Sequence, residues 1–144
     1  MIVLISCGSK KRTYPSAAIS LYEGSYFRAT RKWASSVTDP EYIYILSAKY
    51  GIIRSDRVIP PYEVTIGSRD AISPMDVATQ IAALNWRGRL ITLAGVAYLR
   101  FLDKATDRVL PVNPFVRLCR EDGHPASLGY QIQMMKRWHG RVPA

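Results

Sequence analysis

The sequence predicts an α/β domain with a mostly parallel sheet of about four strands flanked by helices. Short apolar runs suited to strands buried on both faces alternate with helix-length segments that carry an apolar stripe. Glycine, proline and serine punctuate the boundaries, as expected of strand–helix units. A chain of 144 residues suits a single domain spanning 1–144, with enough core to fold without disulfides or a structural metal.

Met1–Ser6 reads as the first strand, apolar from its first residue and without the basic leader of a signal peptide. It runs into Ser6-Cys7-Gly8-Ser9-Lys10-Lys11-Arg12, small residues followed by cations, where backbone N–H groups could line an anion site. The spacing is not that of a Walker A loop. A helix is expected over Ser25–Val37 with Ser25 as N-cap. Its apolar stripe is Phe27, Thr30, Ala34 and Val37, widened by Tyr26 and Trp33. Asp39-Pro40 marks a turn, and Tyr42–Ser47 is the second strand.

The stretch from Ala48 to Glu63 is expected to be a loop folded into a cleft at that strand's end, because it mixes isoleucines and tyrosines with cations and carboxylates. Ser73-Pro74-Met75-Asp76 then opens a helix, with Ser73 as cap and Val77, Ile81 and Leu84 as its stripe. Arg89–Leu93 is a third strand, turned by Ala94-Gly95 into a helix over Val96–Ala105. Arg108–Leu110 begins a fourth strand bounded by Pro111 and Pro114. A loop through Cys119 and His124-Pro125 leads to a last helix, about Ala126 to Trp138, that ends at Gly140.

In parallel α/β sheets, ligands sit beyond the carboxyl ends of the strands. The turns at Ser6–Lys10, Ala48–Glu63 and Gly95 are therefore expected to converge on one edge. Asp56, Glu63 and Tyr50 are the candidate catalytic residues there. Carboxylates beside aromatic rings can have raised pKa values, and a carboxylate can stabilise an oxocarbenium-like centre. Ser6, Cys7, Lys10, Lys49, Arg54, Tyr62 and Gly95 are the candidate binding residues. Lysine and arginine would meet phosphate, and tyrosine faces would stack on a base. Each carboxylate taken alone reads first as a loop cap or as an ion-pair partner of Arg54 or Arg57.

Charge points the same way. The net charge is +9, but residues 39–85 carry six acids against four bases, while both flanks are strongly basic. A sequence pI near 9.8 suggests a polyanionic partner, nucleic acid or nucleotide. Two cysteines and two histidines with no zinc spacing suggest neither a disulfide framework nor a metal, and no cofactor is expected. No apolar window is long enough for a membrane span, and a cytoplasmic setting follows by default from the cysteine usage.

Ser6-Cys7-x-x-Lys10, Leu21-Tyr22-x-Gly24-x-x-Phe27-Arg28, Leu46–Gly51 and Pro61-Tyr62-Glu63 together resemble an uncharacterised domain of phage and bacterial proteins. That domain is similar in turn to the YaaA peroxide-stress proteins. The shared pattern falls here on Ser47, Tyr50, Gly51, Asp56, Pro61 and Tyr62, and the likeness extends to Gly95 and Gly129-x-Gln131. The resemblance implies an α/β fold, DNA association in preference to RNA, and kinship with nucleobase-modifying or N-glycosidic enzymes. Glu63 departs from the arginine of those proteins, and the chain is shorter than theirs. The expected function is thus N-glycosidic cleavage or base exchange on a nucleotide or nucleic acid. A non-catalytic DNA- or RNA-binding module and a nucleotide-sensing domain are the alternatives.

Overall fold

The computed structural model of the protein describes residues 2–84, 90–106, 115–117 and 128–138. In chain order the elements are β1 (Ile2–Ser6), β2 (Ser16–Ala17), α1 (Ala18–Leu21), α2 (Ser25–Val37), β3 (Ile43–Ser47) and β4 (Gly51–Arg54). They continue as β5 (Val58–Ile59), α3 (Pro74–Ala83), β6 (Leu90–Leu93), α4 (Val96–Thr106), β7 (Phe115–Arg117) and α5 (Leu128–Trp138). The main sheet has the order β4-β3-β1-β6-β7. β3, β1, β6 and β7 are parallel, and β4 returns antiparallel along β3. β2 and β5 make a separate two-stranded ribbon.

Strand residues alternate between two cores because successive side chains leave a strand on opposite faces. On one face Val3, Ile5, Ile45, Ile91 and Leu93 meet Phe27, Trp33 and Ala34 of α2 and Met135 of α5. On the other, Leu4, Leu46 and Leu90 meet Val77 and Ile81 of α3 and Phe101, Leu102 and Ala105 of α4. Each such aliphatic or aromatic side chain contributes about 1.5–3 kcal/mol on burial, so the two layers hold the sheet between them. The fold is the expected one: α/β, mostly parallel, with helices on both faces.

The chain runs from β1 out to β3 on one side, then crosses back to place β6 on the other. The connections leaving β1 and β6 therefore diverge, opening a crevice beyond their carboxyl ends at the topological switch point.

Two local expectations need correction. The stretch Ala48–Glu63 is not one loop but a tight turn, the edge strand β4, a second turn and β5. An edge strand tolerates the charges that a central strand would exclude, so Ile52 and Ile53 pack on opposite faces while Arg54 and Asp56 stay in water. Ser25 is the first residue of α2, and the cap is Gly24, with no side-chain bond. Thr30 is buried in the stripe with its hydroxyl satisfied, donating to the Phe27 carbonyl at 2.9 Å. Ser73 does cap α3, accepting from the Asp76 amide at 3.1 Å. The expected strand at Arg108–Leu110, the loop through Cys119 and His124, and the helix ends at Ala126 and Gly140 lie outside the described residues. The fourth parallel strand that is described is β7.

Candidate functional site

A cleft of about 300 Å³ occupies the switch point, lined by Ser6–Lys10, Gly24–Phe27, Gly95 and Tyr98. Its walls are the turn after β1, the start of α2 and the start of α4. The first amides of each helix lack acceptors within the helix and carry partial positive charge, which suits a phosphate or carboxylate. A side chain at Gly8 or Gly24 would meet no atom within 4 Å, so both leave open space. Tyr26, on the α2 wall, donates to Gln131 of α5 at 2.6 Å, and Gln131 donates to the Ala94 carbonyl at 2.9 Å. That bridge fixes the α2 wall against the end of β6.

Cys7 joins the cleft to a second cluster. Its thiol is buried and lies 3.0 Å from the Tyr98 hydroxyl. Beyond it, the Tyr62 hydroxyl sits 2.6 Å from both the Tyr22 hydroxyl and the Ser47 hydroxyl. Ser47 is locked at the end of β3 by accepting from the Lys49 and Tyr50 amides at 3.2 and 3.1 Å. Burial pushes the Tyr22, Tyr62 and Tyr98 hydroxyls well above the usual tyrosine range, with the Cys7 thiol adding to the effect. These hydroxyls stay protonated, each within hydrogen-bond distance of a neighbour.

Lys11 stands over this cluster. Its Nζ lies 4.6 Å from the Tyr62 ring centre and 5.8 Å from that of Tyr22. Nζ also donates to the Ser9 carbonyl, on the cleft wall, at 3.2 Å. Arg12 N to Leu21 O and Glu23 N to Lys10 O, both 2.9 Å, fasten its loop to the chain before α2. Burial lowers the Lys11 pKa, and the Cys7 thiol and Glu63 carboxylate oppose that shift.

Most of the expected residues meet on this edge. Ser6, Cys7, Lys10 and Gly95 line the cleft. The Tyr50 ring meets Tyr62 edge-on at 5.6 Å and carries Lys49 Nζ at 5.2 Å and the Arg57 guanidinium at 4.9 Å. Glu63 is exposed, near enough to Lys11 to affect its charge. Asp56 and Arg54 do not join them. Pairing of Arg54 with Tyr44 and of the Ser55 amide with the Ile43 carbonyl carries this segment toward the opposite edge of the sheet. Ser55 lies on the order of 13 Å along the strand from Gly51, at ~3.3 Å per residue. There Asp56 pairs with Arg54 at 3.2 Å in solvent.

The sequence reading missed Lys11, Tyr22 and Tyr98. Two signals for the first pair were present: Lys11 follows Lys10 in the basic turn, and Tyr22 stands in Leu21-Tyr22-x-Gly24. Tyr98 had none, because its partner is a distant residue. Among the described residues, no three histidine, cysteine, aspartate or glutamate side chains cluster as a metal site.

Residues 2–116 match the model of a family of unknown function, DUF6884, and the chain belongs to that family. No curated protein and no solved structure matches the chain.

Proposed function

We propose that this DUF6884 member acts on a nucleotide, or on a nucleotide unit of DNA, and cleaves or exchanges its N-glycosidic bond. One observation carries the reading: a cleft suited to phosphate meets, at Cys7, a tyrosine cluster that lies under Lys11, with the exposed Glu63 near enough to act on that lysine. The phosphate lies against the Gly8–Lys10 turn and the two helix starts, with Lys10 as its counter-charge, while the Cys7 amide stays bonded to the Leu46 carbonyl. Sugar and base lie toward Lys11, Tyr62 and Tyr50. Glu63 is the carboxylate placed to stabilise positive charge building on the sugar as the bond to the base breaks. Asp56 has no part in this chemistry. The resemblance to YaaA-like proteins supports DNA as the polymer, and the basic flanks support a polyanion.

The test is mass spectrometry of nucleosides and free bases after incubation with plain and modified DNA and RNA. Wild type and Asp56→Asn are expected to release a base, and Glu63→Gln to release it at least tenfold more slowly. A second reading, nucleotide binding without catalysis, is favoured by the absence of any carboxylate among the described residues that line the cleft. Retained nucleotide binding with no product from any substrate would select it.

A further inference from the structure

The lysine placement has a consequence for covalent chemistry. Lys11 Nζ is held over two aromatic rings, and its described hydrogen bond goes to a carbonyl. Among the described residues it forms no ion pair within 4 Å, although Glu63 is nearby. Lys10 and Lys49, by contrast, are exposed. The rings hold the side chain in place, and partial burial, which disfavours the ammonium form, is a setting found for lysines that attack carbonyl groups. The groups around it are the Tyr22 and Tyr62 rings, with Cys7 and Glu63 near enough to favour the ammonium form against the larger effect of burial. Its acceptor, Ser9, belongs to the cleft wall, so the nitrogen stands at the cleft margin.

We infer that Lys11 forms an imine with the aldehyde of a ring-opened pentose phosphate, such as the sugar left at an abasic site. The inference rests on the nucleotide reading of this edge and names the covalent partner within it. The nitrogen lone pair of the neutral amine bonds to the sugar C1′, and the carbonyl π pair takes a proton. The resulting carbinolamine loses its hydroxyl as water and a proton from nitrogen, leaving a carbon–nitrogen double bond. Amine and aldehyde become imine and water, so no oxidant or reductant enters. A sugar that has just lost its base is the product of N-glycosidic cleavage, so the same edge would retain it.

The experiment treats the full chain with sodium cyanoborohydride and either an oligonucleotide containing one abasic site or free 2-deoxyribose 5-phosphate. Reduction fixes the imine as a stable adduct, read on a denaturing gel and mapped by peptide mass spectrometry. The expected result is an adduct on Lys11, absent in Lys11→Met and Lys11→Arg and retained in Lys104→Met, which alters an exposed lysine on α4. Arginine keeps the charge and the ring contact, so its failure would not come from lost packing. Adduct with the oligonucleotide alone assigns the aldehyde to nucleic acid, and adduct with both assigns it to the free sugar phosphate as well. Fluorescence anisotropy without reductant separates the two levels of the account. Binding without an adduct, or an adduct on another amine, overturns the role of Lys11 alone. Neither binding nor adduct overturns the nucleotide reading with it.

Discussion

Tyr62 shows how a single hydroxyl organises the site. Tyr62→Phe removes the group shared by Tyr22 and Ser47 and leaves the Tyr22 hydroxyl without the tyrosine partner it now has. The expected loss is about 1–2 kcal/mol of stability, read from urea unfolding. Lys11 makes a signed prediction with pH. Its folded pKa lies below the unfolded value of 10.5, so the folded chain gives up this proton first. The penalty for burying the ammonium is present at low pH and is relieved as pH rises through the folded pKa. Measured against Lys11→Met in urea, wild type should therefore gain relative stability as pH is raised from neutrality toward 10.5. A difference that stays flat or moves the other way contradicts the burial of this amine. Cys7, Lys10 and Tyr62 were legible in the sequence because a strand end, a basic turn and a proline-tyrosine pair flag them locally. Tyr22 was flagged only by its place in Leu21-Tyr22-x-Gly24, and Tyr98 not at all, because its partner lies 91 residues away and local pattern carries no trace of such a contact.

Among the elements, the turn between β3 and β4 is the most constrained. Gly51 has φ +75°, and a side chain there would run into the Gln80 amide and Ile72. Gln80 in turn accepts from the Ile52 amide at 2.7 Å and donates to the Tyr50 carbonyl at 2.9 Å, pinning the turn to α3. Gly51→Ala combines left-handed backbone strain with displacement of that glutamine, and about 2–4 kcal/mol of destabilisation is expected from chemical denaturation. β4 also explains why Asp56 stands apart from the other candidate residues, exposed and paired with Arg54. Two consecutive isoleucines, Ile52 and Ile53, amid charges read as an irregular loop until the edge position of the strand is known. Once the hairpin forms, it carries Asp56 away from the tyrosines that neighbour it in sequence. Helix α3 was legible to its first residue, because Ser73, Pro74 and Asp76 write its start in the chain itself.

At the scale of the whole molecule, strand order was the missing quantity. Alternating strands and helices announced a parallel sheet, but only the order β4-β3-β1-β6-β7 places the crevice between β1 and β6. Both turns that end these strands had been named, so the site was legible in pieces and its assembly was not. The basic character bears on binding at this scale too. Affinity for single-stranded DNA should fall with salt, and Lys10→Gln should reduce the slope of log affinity against log salt by roughly 0.7 if that lysine meets a phosphate. Among the described residues no helix is long and apolar enough to cross a membrane. The most direct test of the central claim is a titration of the isotope-labelled protein with a short oligonucleotide, following backbone amide resonances. The account predicts that the shifts concentrate at Ser6–Lys11, Gly24–Phe27 and Gly95, the amides of the switch-point edge. Shifts confined to the Asp56 turn, or none at saturating oligonucleotide, would contradict it.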